Sequence, residues 1–243
     1  MAKPFLTAEW RHVAILNYCV EPSALADRVP RGTELDQWQG RTYLSLVGFR
    51  FLDTKVLGVP IPFHRSFEEV NLRFYVRRRA RDGWRRGVVF VKEIVPRAAV
   101  ALVARVLYNE NYTALPMGHE IGRAAGEPGR IESVSYWWTF AGRPHRLSLS
   151  LACEPRSLTA GSEEEFIAEH YWGYSRQRDG GTSEYQVTHP PWRAAPARDA
   201  RLEGDVSGIY GERFGELLAG RPVSAFMAEG SGVAVSHGVR LDD

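Results

Sequence analysis

In the stretch SFEEVNLRFYV, residues 66–76, residues of similar polarity recur at every second position. A period of two is typical of a β-strand, because successive side chains point to opposite faces. One face of this predicted strand is apolar, and the other carries Glu69, Asn71, Arg73 and Tyr75. The polar face is either solvated, as in many antiparallel sheets, or it lines the inside of a pocket.

Further runs rich in β-branched and aromatic residues predict a chain that is built mainly of strands. They are residues 11–20, 41–53, 86–95, 130–140, 143–155, 183–192 and 231–241. A typical hairpin turn, Asp82-Gly83, lies between two of the predicted strands. Residues 195–205 (APARDARLEGD) show no clear pattern and are predicted to be a loose segment.

Three segments have the pattern of helices. Residues 96–109 are rich in alanine and apolar on most sides, which predicts a buried helix. Residues 162–176 form the clearest helical pattern, in which Ser162 is the predicted N-cap and Glu165 completes a capping box. A third helix is predicted near residues 208–220.

The order of these elements indicates the fold class. No internal repeat or linker divides the chain, so we interpret residues 1–243 as a single domain. Many antiparallel strands with helices packed around them favour an α+β fold with a closed or nearly closed sheet.

Composition excludes several classes of partner. The net charge of +2 gives no reason to expect a nucleic-acid partner. The chain has no N-terminal apolar run of the signal-peptide kind, and no apolar run of about 18 residues that could span a membrane. Cys19 and Cys153 do not form a disulfide framework. We therefore expect a cytoplasmic protein without a membrane partner.

The sequence lacks the familiar motifs of several classes of active and metal-binding site. The chain has no glycine-rich phosphate loop and no nucleophile elbow. Its seven histidines are scattered, and none has a partner at a spacing typical of metal sites. We therefore expect neither a metal nor another cofactor.

Four segments resemble a known family, the uncharacterised bacterial proteins called YqjF-like or domain of unknown function 2071 (DUF2071). These segments are residues 11–51, 68–78, 104–112 and 166–192. That family in turn resembles acetoacetate decarboxylase in fold. The resemblance implies a curved, mostly antiparallel β-barrel or cone, with helices packed outside and a polar pocket within.

The resemblance to the decarboxylase also assigns site residues. It implies that Arg11 and Glu69 occupy the positions of an arginine and a glutamate of the decarboxylase site. The two lysines that support Schiff-base chemistry in the decarboxylase are replaced here by Tyr112 and Thr113. Because a phenol and a hydroxyl cannot form an iminium with a ketone, the resemblance implies a pocket that has lost this chemistry.

The predicted catalytic set is therefore Glu69, Arg11 and Tyr112. Arg11 would hold a carboxylate, Glu69 would act as general acid or base, and Tyr112 would donate to a carbonyl oxygen. The predicted substrate-binding residues are Asn71, Arg73, Thr113, Tyr108 and Lys92. The last of these is either an alternative Schiff-base lysine inside an apolar strand or an edge lysine in water.

Three functions remain open at this level. The first is a lyase- or hydratase-type enzyme that acts on a small keto acid without a Schiff base. The second is a non-catalytic protein that binds a small ligand, with Tyr112, Tyr108, Tyr136, Trp137 and Trp138 as candidate walls. The third is an assembly protein, and self-association into a homo-oligomer is an expectation because the decarboxylase is a large oligomer.

Overall fold

The computed structural model describes residues 4–61, 65–97 and 111–241, and most of these residues lie in strands. The long strands are β1 (Leu6–Val20), β3 (Thr42–Val56), β5 (Phe67–Ala80), β6 (Gly83–Val95), β8 (Met117–Ala124), β9 (Glu127–Phe140), β10 (Arg143–Leu151), β13 (Thr182–Thr188) and β14 (Arg193–Glu203). The short strands are β2 (Glu34–Leu35), β4 (Val59–Pro60), β7 (Tyr112–Ala114), β11 (Arg156–Ser157), β12 (Trp172–Arg176), β15 (Ser224–Ala228), β16 (Gly232–Val235) and β17 (Val239–Arg240).

Helices are short in the described ranges. The α-helices are α1 (Glu163–Ala168), α2 (Ser207–Tyr210) and α3 (Glu212–Leu218). Two single turns of 3₁₀-helix, Pro22–Ala24 and Ala26–Arg28, follow β1.

Strand pairings close part of the sheet into a ring. β1 pairs with β3, β3 with β5 and β5 with β6, all in antiparallel orientation. β6 then pairs in parallel with β12, and antiparallel pairs join β12 to β13 and β13 to β16. Because β16 pairs with β1, the path returns to its start. The predicted α+β fold with a curved, mostly antiparallel barrel is confirmed.

A second layer of strands packs on the outside of this ring. β8, β9, β10 and β14 are neighbours in that order. Buried side chains fill the space between the two layers, among them Leu46, Leu72, Tyr136 and Trp138, and the helices α2 and α3 pack against them. A separate buried cluster occupies the inside of the ring, and Val47, Tyr75 and Phe166 belong to it.

The predicted helix over residues 162–176 begins as expected but ends early. The hydroxyl of Ser162 accepts a hydrogen bond from the backbone N–H of Glu165 (3.2 Å), so the N-cap is confirmed. The helix stops at Ala168, and the prediction for Trp172–Arg176 is wrong because this segment is β12. Its pairing with β6 and β13 completes the ring, so tertiary pairing overrides the local helical pattern.

Two other predictions concern residues 195–205 and residues 96–109. The prediction of a loose segment at residues 195–205 is wrong for most of its length, because β14 continues to Glu203 and pairs with β10. Its alternation of alanines with exposed charged residues lacks the large apolar side chains that mark a strand in the sequence. The predicted helix over residues 96–109 lies outside the described residues, apart from its first two positions.

The described helices also bear on membrane insertion. In residues 4–61, 65–97 and 111–241, no helix has the length and apolar character needed to cross a membrane.

Contact between the two layers depends on Gly48. A Cβ atom at this position would lie 2.5 Å from the ring of Tyr136, whose hydroxyl donates a hydrogen bond to the carbonyl of His12 (2.8 Å). We therefore expect Gly48→Ala to lower the free energy of unfolding by about 1–3 kcal/mol through overpacking. Chemical denaturation would measure this, with Gly129→Ala, where a Cβ meets nothing within 4 Å, as the control. Equal stability of the two variants would contradict the described packing.

Candidate functional site

The strand ring encloses a cavity of about 210 Å³. Every strand of the ring contributes side chains to the cavity wall. Most of the wall is apolar, and its large aromatic residues include Trp10, Phe49, Phe51, Phe67, Phe90 and Trp172. A ligand in this cavity would bury an apolar part against these rings and would meet polar groups at only a few points.

A row of polar side chains crosses the cavity wall from β5 to β7. Asn71 lies opposite Glu93 in the register of β5 and β6, and Glu93 lies opposite Tyr112 in the register of β6 and β7. Glu69 precedes Asn71 by two positions and shares its face. The amide of Asn71 donates to Glu69 Oε1 (2.9 Å), and the hydroxyl of Tyr112 donates to Glu69 Oε2 (3.2 Å). The structure thus brings together three residues that the sequence nominated.

A β-bulge in β6 decides which of its residues face the cavity. Two consecutive residues of β5, Leu72 and Arg73, pair with Lys92 and Phe90, so Val91 is an extra residue in β6. An extra residue inverts the facing of every position that follows it.

Lys92 and Glu93 exchange faces because of this bulge. Uninterrupted alternation would place Lys92 inside the ring and Glu93 outside. Instead, the ammonium of Lys92 donates to the carbonyl of Ile209 (2.6 Å) in α2, on the outer side of the sheet. The structure does not bring Lys92 to the cavity, and it places Glu93 there, which was not among the predicted site residues.

Burial dominates the electrostatics of Glu69, which is only 3% exposed. Loss of hydration raises the pKa of its carboxyl group to about 7, although the hydrogen bonds from Asn71 and Tyr112 and the charge of Arg73 act in the opposite direction. Glu69 can therefore give or take a proton near neutral pH, which is the property required of a general acid or base.

Tyr112 is held as a hydrogen-bond donor. Burial raises its pKa well above the ordinary value, and the negative charges of Glu69 and Glu93 and a hydrogen bond with Glu93 raise it further. The phenol consequently keeps its proton between two carboxyl groups. A donor that keeps its proton in this position suits the stabilisation of a developing enolate oxygen.

Arg73 supplies positive charge to the cavity. Among the described lining residues it is the only arginine or lysine. Its Nε is buried and has no hydrogen-bond partner in the described part of the chain. The guanidinium carbon lies 5.7 Å from the centre of the Tyr75 ring. This predicted binding residue is therefore placed where a ligand could meet it.

His170 also lines the cavity, although it was not among the predicted site residues. Its side chain is 2% exposed, and Nε2 lies 3.5 Å from Oδ2 of Asp36. The same oxygen of Asp36 accepts a hydrogen bond from Nε of Arg86 (2.7 Å). Burial lowers the pKa of His170 to about 4, so its imidazole is neutral at physiological pH. The predicted helix hid this residue, because helical periodicity assigned it to the core.

Arg11 does not reach the cavity. It lies on β1 between Trp10 and His12, and its guanidinium pairs with Glu9 (2.5 Å) and donates to the carbonyl of Gly230 (3.1 Å). Its side chain is 40% exposed. The structure therefore separates Arg11 from Glu69, because Trp10 takes the inward position of this strand.

The remaining candidate site residues do not line the cavity in the described part of the chain. Thr113 pairs with Ile94, which packs in the core between the layers, and it does not line the cavity. Tyr108 lies outside the described residues. Of the predicted aromatic walls, Tyr136 and Trp138 belong to the core between the layers, and Trp137 is exposed. In the described ranges, no group of three or more His, Cys, Asp or Glu side chains could hold a metal ion.

Comparison by sequence finds uncharacterised relatives. A family model described as an uncharacterized conserved protein, DUF2071, matches residues 7–232. The uncharacterized protein YqjF of Bacillus subtilis (strain 168) is 33% identical over 203 residues, which are 83% of this chain and 80% of YqjF.

Comparison by structure finds acetoacetate decarboxylase and similar enzymes. Acetoacetate decarboxylase from Legionella pneumophila has a TM-score of 0.68 at 13% identity, covering 100% of this chain and 88% of its own. The enduracididine biosynthesis enzyme MppR complexed with pyruvate has a TM-score of 0.67 at 15% identity, with coverages of 100% and 93%. An acetoacetate decarboxylase-like enzyme from Sphingomonas wittichii RW1 has a TM-score of 0.65 at 12% identity, with coverages of 100% and 95%. These similarities establish the fold.

The raised pKa of Glu69 has a consequence for stability. A group whose pKa is higher in the folded protein than in the unfolded chain stabilises the fold at low pH, and this stabilisation is lost as the pH rises through the folded value. The pKa of Glu69 rises from an ordinary value of 4.5 to about 7. The free energy of unfolding should therefore fall by about 2–3 kcal/mol between about pH 5 and pH 8.

We therefore expect Glu69→Gln to remove this loss, because the amide stays neutral throughout. Urea denaturation at a series of pH values would measure the free energy of unfolding of both proteins. The exposed Glu21→Gln is the control and should keep the wild-type pH dependence. Parallel curves for Glu69→Gln and the wild type would contradict the raised pKa.

Proposed function

Because this chain belongs to the DUF2071 (YqjF-like) family and has the acetoacetate decarboxylase-like fold, we propose that it is a lysine-independent enzyme of the lyase or hydratase type. Its substrate would be a small compound that carries a carbonyl or a carboxylate group. The observation that carries the proposal is the buried carboxyl group of Glu69, with a pKa of about 7 and the phenol of Tyr112 in contact with it.

The chemistry that fits this pair is proton abstraction next to a carbonyl group. The carboxylate of Glu69 takes a proton from the carbon beside the carbonyl, and the electron pair of that C–H bond moves into an enolate. Tyr112 donates a hydrogen bond to the enolate oxygen. Return of the proton from Glu69 to carbon completes an exchange; alternatively, the enolate re-forms the carbonyl, a group leaves the next carbon with the electron pair of its bond, and it takes up the proton from Glu69.

A lysine is not needed for this step. The positions that the resemblance assigns to the lysine pair hold Tyr112 and Thr113, and Lys92 is engaged on the outer side of the sheet. One similar structure, MppR, was solved with pyruvate and with the condensation product of pyruvate and imidazole 4-carboxaldehyde. An oxo acid is therefore a reasonable first substrate class to test.

A second candidate function is non-catalytic binding of a small ligand. The observation that favours it is the predominance of aromatic and aliphatic side chains in the wall. Under this alternative, the wild-type protein would not convert any ligand, and replacement of Glu69 would change only the affinity for the ligand.

The enzyme proposal predicts exchange of carbon-bound hydrogen with solvent. α-Ketoisocaproate in D₂O should lose the proton signals of the methylene beside its carbonyl faster with protein than without it, as followed by NMR. We expect Glu69→Gln to slow this catalysed exchange by about a hundredfold or more and Tyr112→Phe by about tenfold or more. Arg11→Gln, outside the cavity, is the control.

The pH dependence of the exchange provides a further check. The base form of Glu69 is required, so the rate should rise with pH, with a midpoint near pH 7 and a plateau above about pH 8. Exchange that persists in Glu69→Gln would remove Glu69 as the base, and absence of any catalysed exchange would favour the binding alternative.

Lysine independence has its own test. We expect no covalent adduct when the protein is treated with α-ketoisocaproate or acetoacetate and then with borohydride, because no lysine amine lies at the described cavity wall. Intact mass spectrometry would detect an adduct, and a lysine-dependent acetoacetate decarboxylase is the positive control. A reduced adduct on Lys92 would show that this lysine reaches the ligand.

A further inference from the structure

We propose that Arg73 and His170 form a carboxylate-binding subsite in the barrel cavity, separate from the pair formed by Glu69 and Tyr112. The subsite would hold the carboxylate end of an oxo acid whose apolar chain lies against the aromatic wall. This inference rests on the proposed function for the identity of the reacting end. It assigns the anion-binding role to residues other than Arg11, which pairs with Glu9.

Unsatisfied polar atoms mark the subsite. Buried polar groups in folded proteins nearly always have hydrogen-bond partners, so exceptions call for an explanation. In the described part of the chain, Nε of Arg73 and Nδ1 of His170 are buried without a hydrogen-bond partner, whereas Nε2 of His170 faces Asp36 at 3.5 Å. Both residues line the cavity, where a bound ligand could supply the missing partners.

The two residues lie against one aromatic ring. The guanidinium carbon of Arg73 is 5.7 Å and the ring centre of His170 is 4.7 Å from the ring centre of Tyr75. The hydroxyl of Tyr75 donates to Ser45 (2.8 Å), whose hydroxyl donates to Asn17 (2.6 Å). This buried chain of hydrogen bonds fixes the ring, so Tyr75 forms a rigid platform against which both groups pack.

Neighbouring charges favour an anion at this point. Arg73 forms no ion pair with any residue that the structure describes, although it lies in a cavity of low polarity. Behind His170, Asp36 already accepts a hydrogen bond from Arg86, so that carboxylate does not neutralise Arg73. The charge of Arg73 acts on Glu69 without an ion pair between them, so a ligand carboxylate could approach the guanidinium away from bulk water, where such a pair is strong.

His170 would gain a proton when the carboxylate binds. The charged groups that act on it are Asp36 and Arg86 on one side and Arg73 on the cavity side. A protonated imidazole has two N–H donors, one for Asp36 and one for the ligand, whereas a neutral ring has only one. Carboxylate affinity should therefore rise as the pH falls.

Calorimetric titration with a matched pair of ligands tests the subsite. The probes are α-ketoisocaproate and its neutral amide, which differ only in the charged end. We expect the wild type to bind the acid at least about tenfold more tightly than the amide, a difference of about 1.4 kcal/mol. Arg73→Gln and His170→Gln should each reduce the preference to less than about threefold while amide affinity stays unchanged. Arg11→Gln is the matched arginine control and should keep the full preference.

Amide binding also reports on folding, since a variant that still binds the amide has kept its cavity. A variant that loses both ligands would be replaced by Arg73→Lys or His170→Asn and judged by the same ratio. An equal affinity of the wild type for acid and amide, no binding of either, or an unchanged preference in both variants would overturn the proposal.

The pH dependence is measured in the Glu69→Gln background, so that Glu69 does not titrate. There, acid affinity should rise about tenfold from about pH 8 to about pH 6, and His170→Gln should abolish the rise. A rise that survives His170→Gln would assign the proton to another group and exclude His170 from the subsite.

Failure of this inference differs from failure of the proposed function. Catalysed exchange of both acid and amide without a preference for the acid would overturn the subsite and leave the proposed function standing. A preference for the acid without any catalysed exchange would overturn the proposed function and leave the subsite standing.

Discussion

Closure of the β1–β3–β5–β6–β12–β13–β16 ring determines which side chains face the cavity and which face the outer layer. In a closed ring the side chains of each strand point alternately to the inside and to the outside. The outside is covered by a second sheet and by helices, which bury one apolar surface. The inside is only partly filled, and the remaining space is the cavity. Any residue that changes the alternation therefore changes what the cavity contains.

Polar chemistry inside such a ring is costly. A carboxyl group that is buried as deeply as that of Glu69 loses its hydration, and this loss favours the protonated form. Asn71 and Tyr112 partly offset this effect through hydrogen bonds. The balance leaves a carboxyl group that can change protonation state near neutral pH. A purely structural position would be stabilised by an apolar residue or by an amide, so this destabilising choice is consistent with a role in chemistry.

The sequence predicted the parts of the fold that depend on local patterns. The period of two over residues 66–76 indicated β5 and the shared face of Glu69, Asn71 and Arg73, and the cap at Ser162 indicated the start of α1. The end of α1 could not be predicted, because residues 172–176 form a strand only through pairing with distant parts of the chain. Glu93 stayed hidden because the bulge at Val91 inverts the alternation and leaves no signal in the residue types.

Residues of the candidate site could likewise be predicted only where the backbone is regular. Residues on an unbroken strand could be assigned to the cavity from their spacing, as Glu69 and Asn71 show. Arg11 and His170 could not, because each lies beside an irregularity of the backbone. His12, next to Arg11, has a positive φ of 56°, and His170 follows the end of a helix. Resemblance to a family therefore identified the barrel more securely than it identified the members of its site.

The most direct test of this account is a ¹³C NMR titration of the glutamate carboxyl groups in uniformly glutamate-labelled protein, with Glu69→Gln to assign the signal. A buried Glu69 with a raised pKa gives one carboxyl resonance with its midpoint near pH 7, and this resonance disappears in Glu69→Gln. If the resonance lost in the variant titrates at the ordinary value of about 4.5, Glu69 is not poised for proton transfer near neutral pH and the proposed role as general base is contradicted.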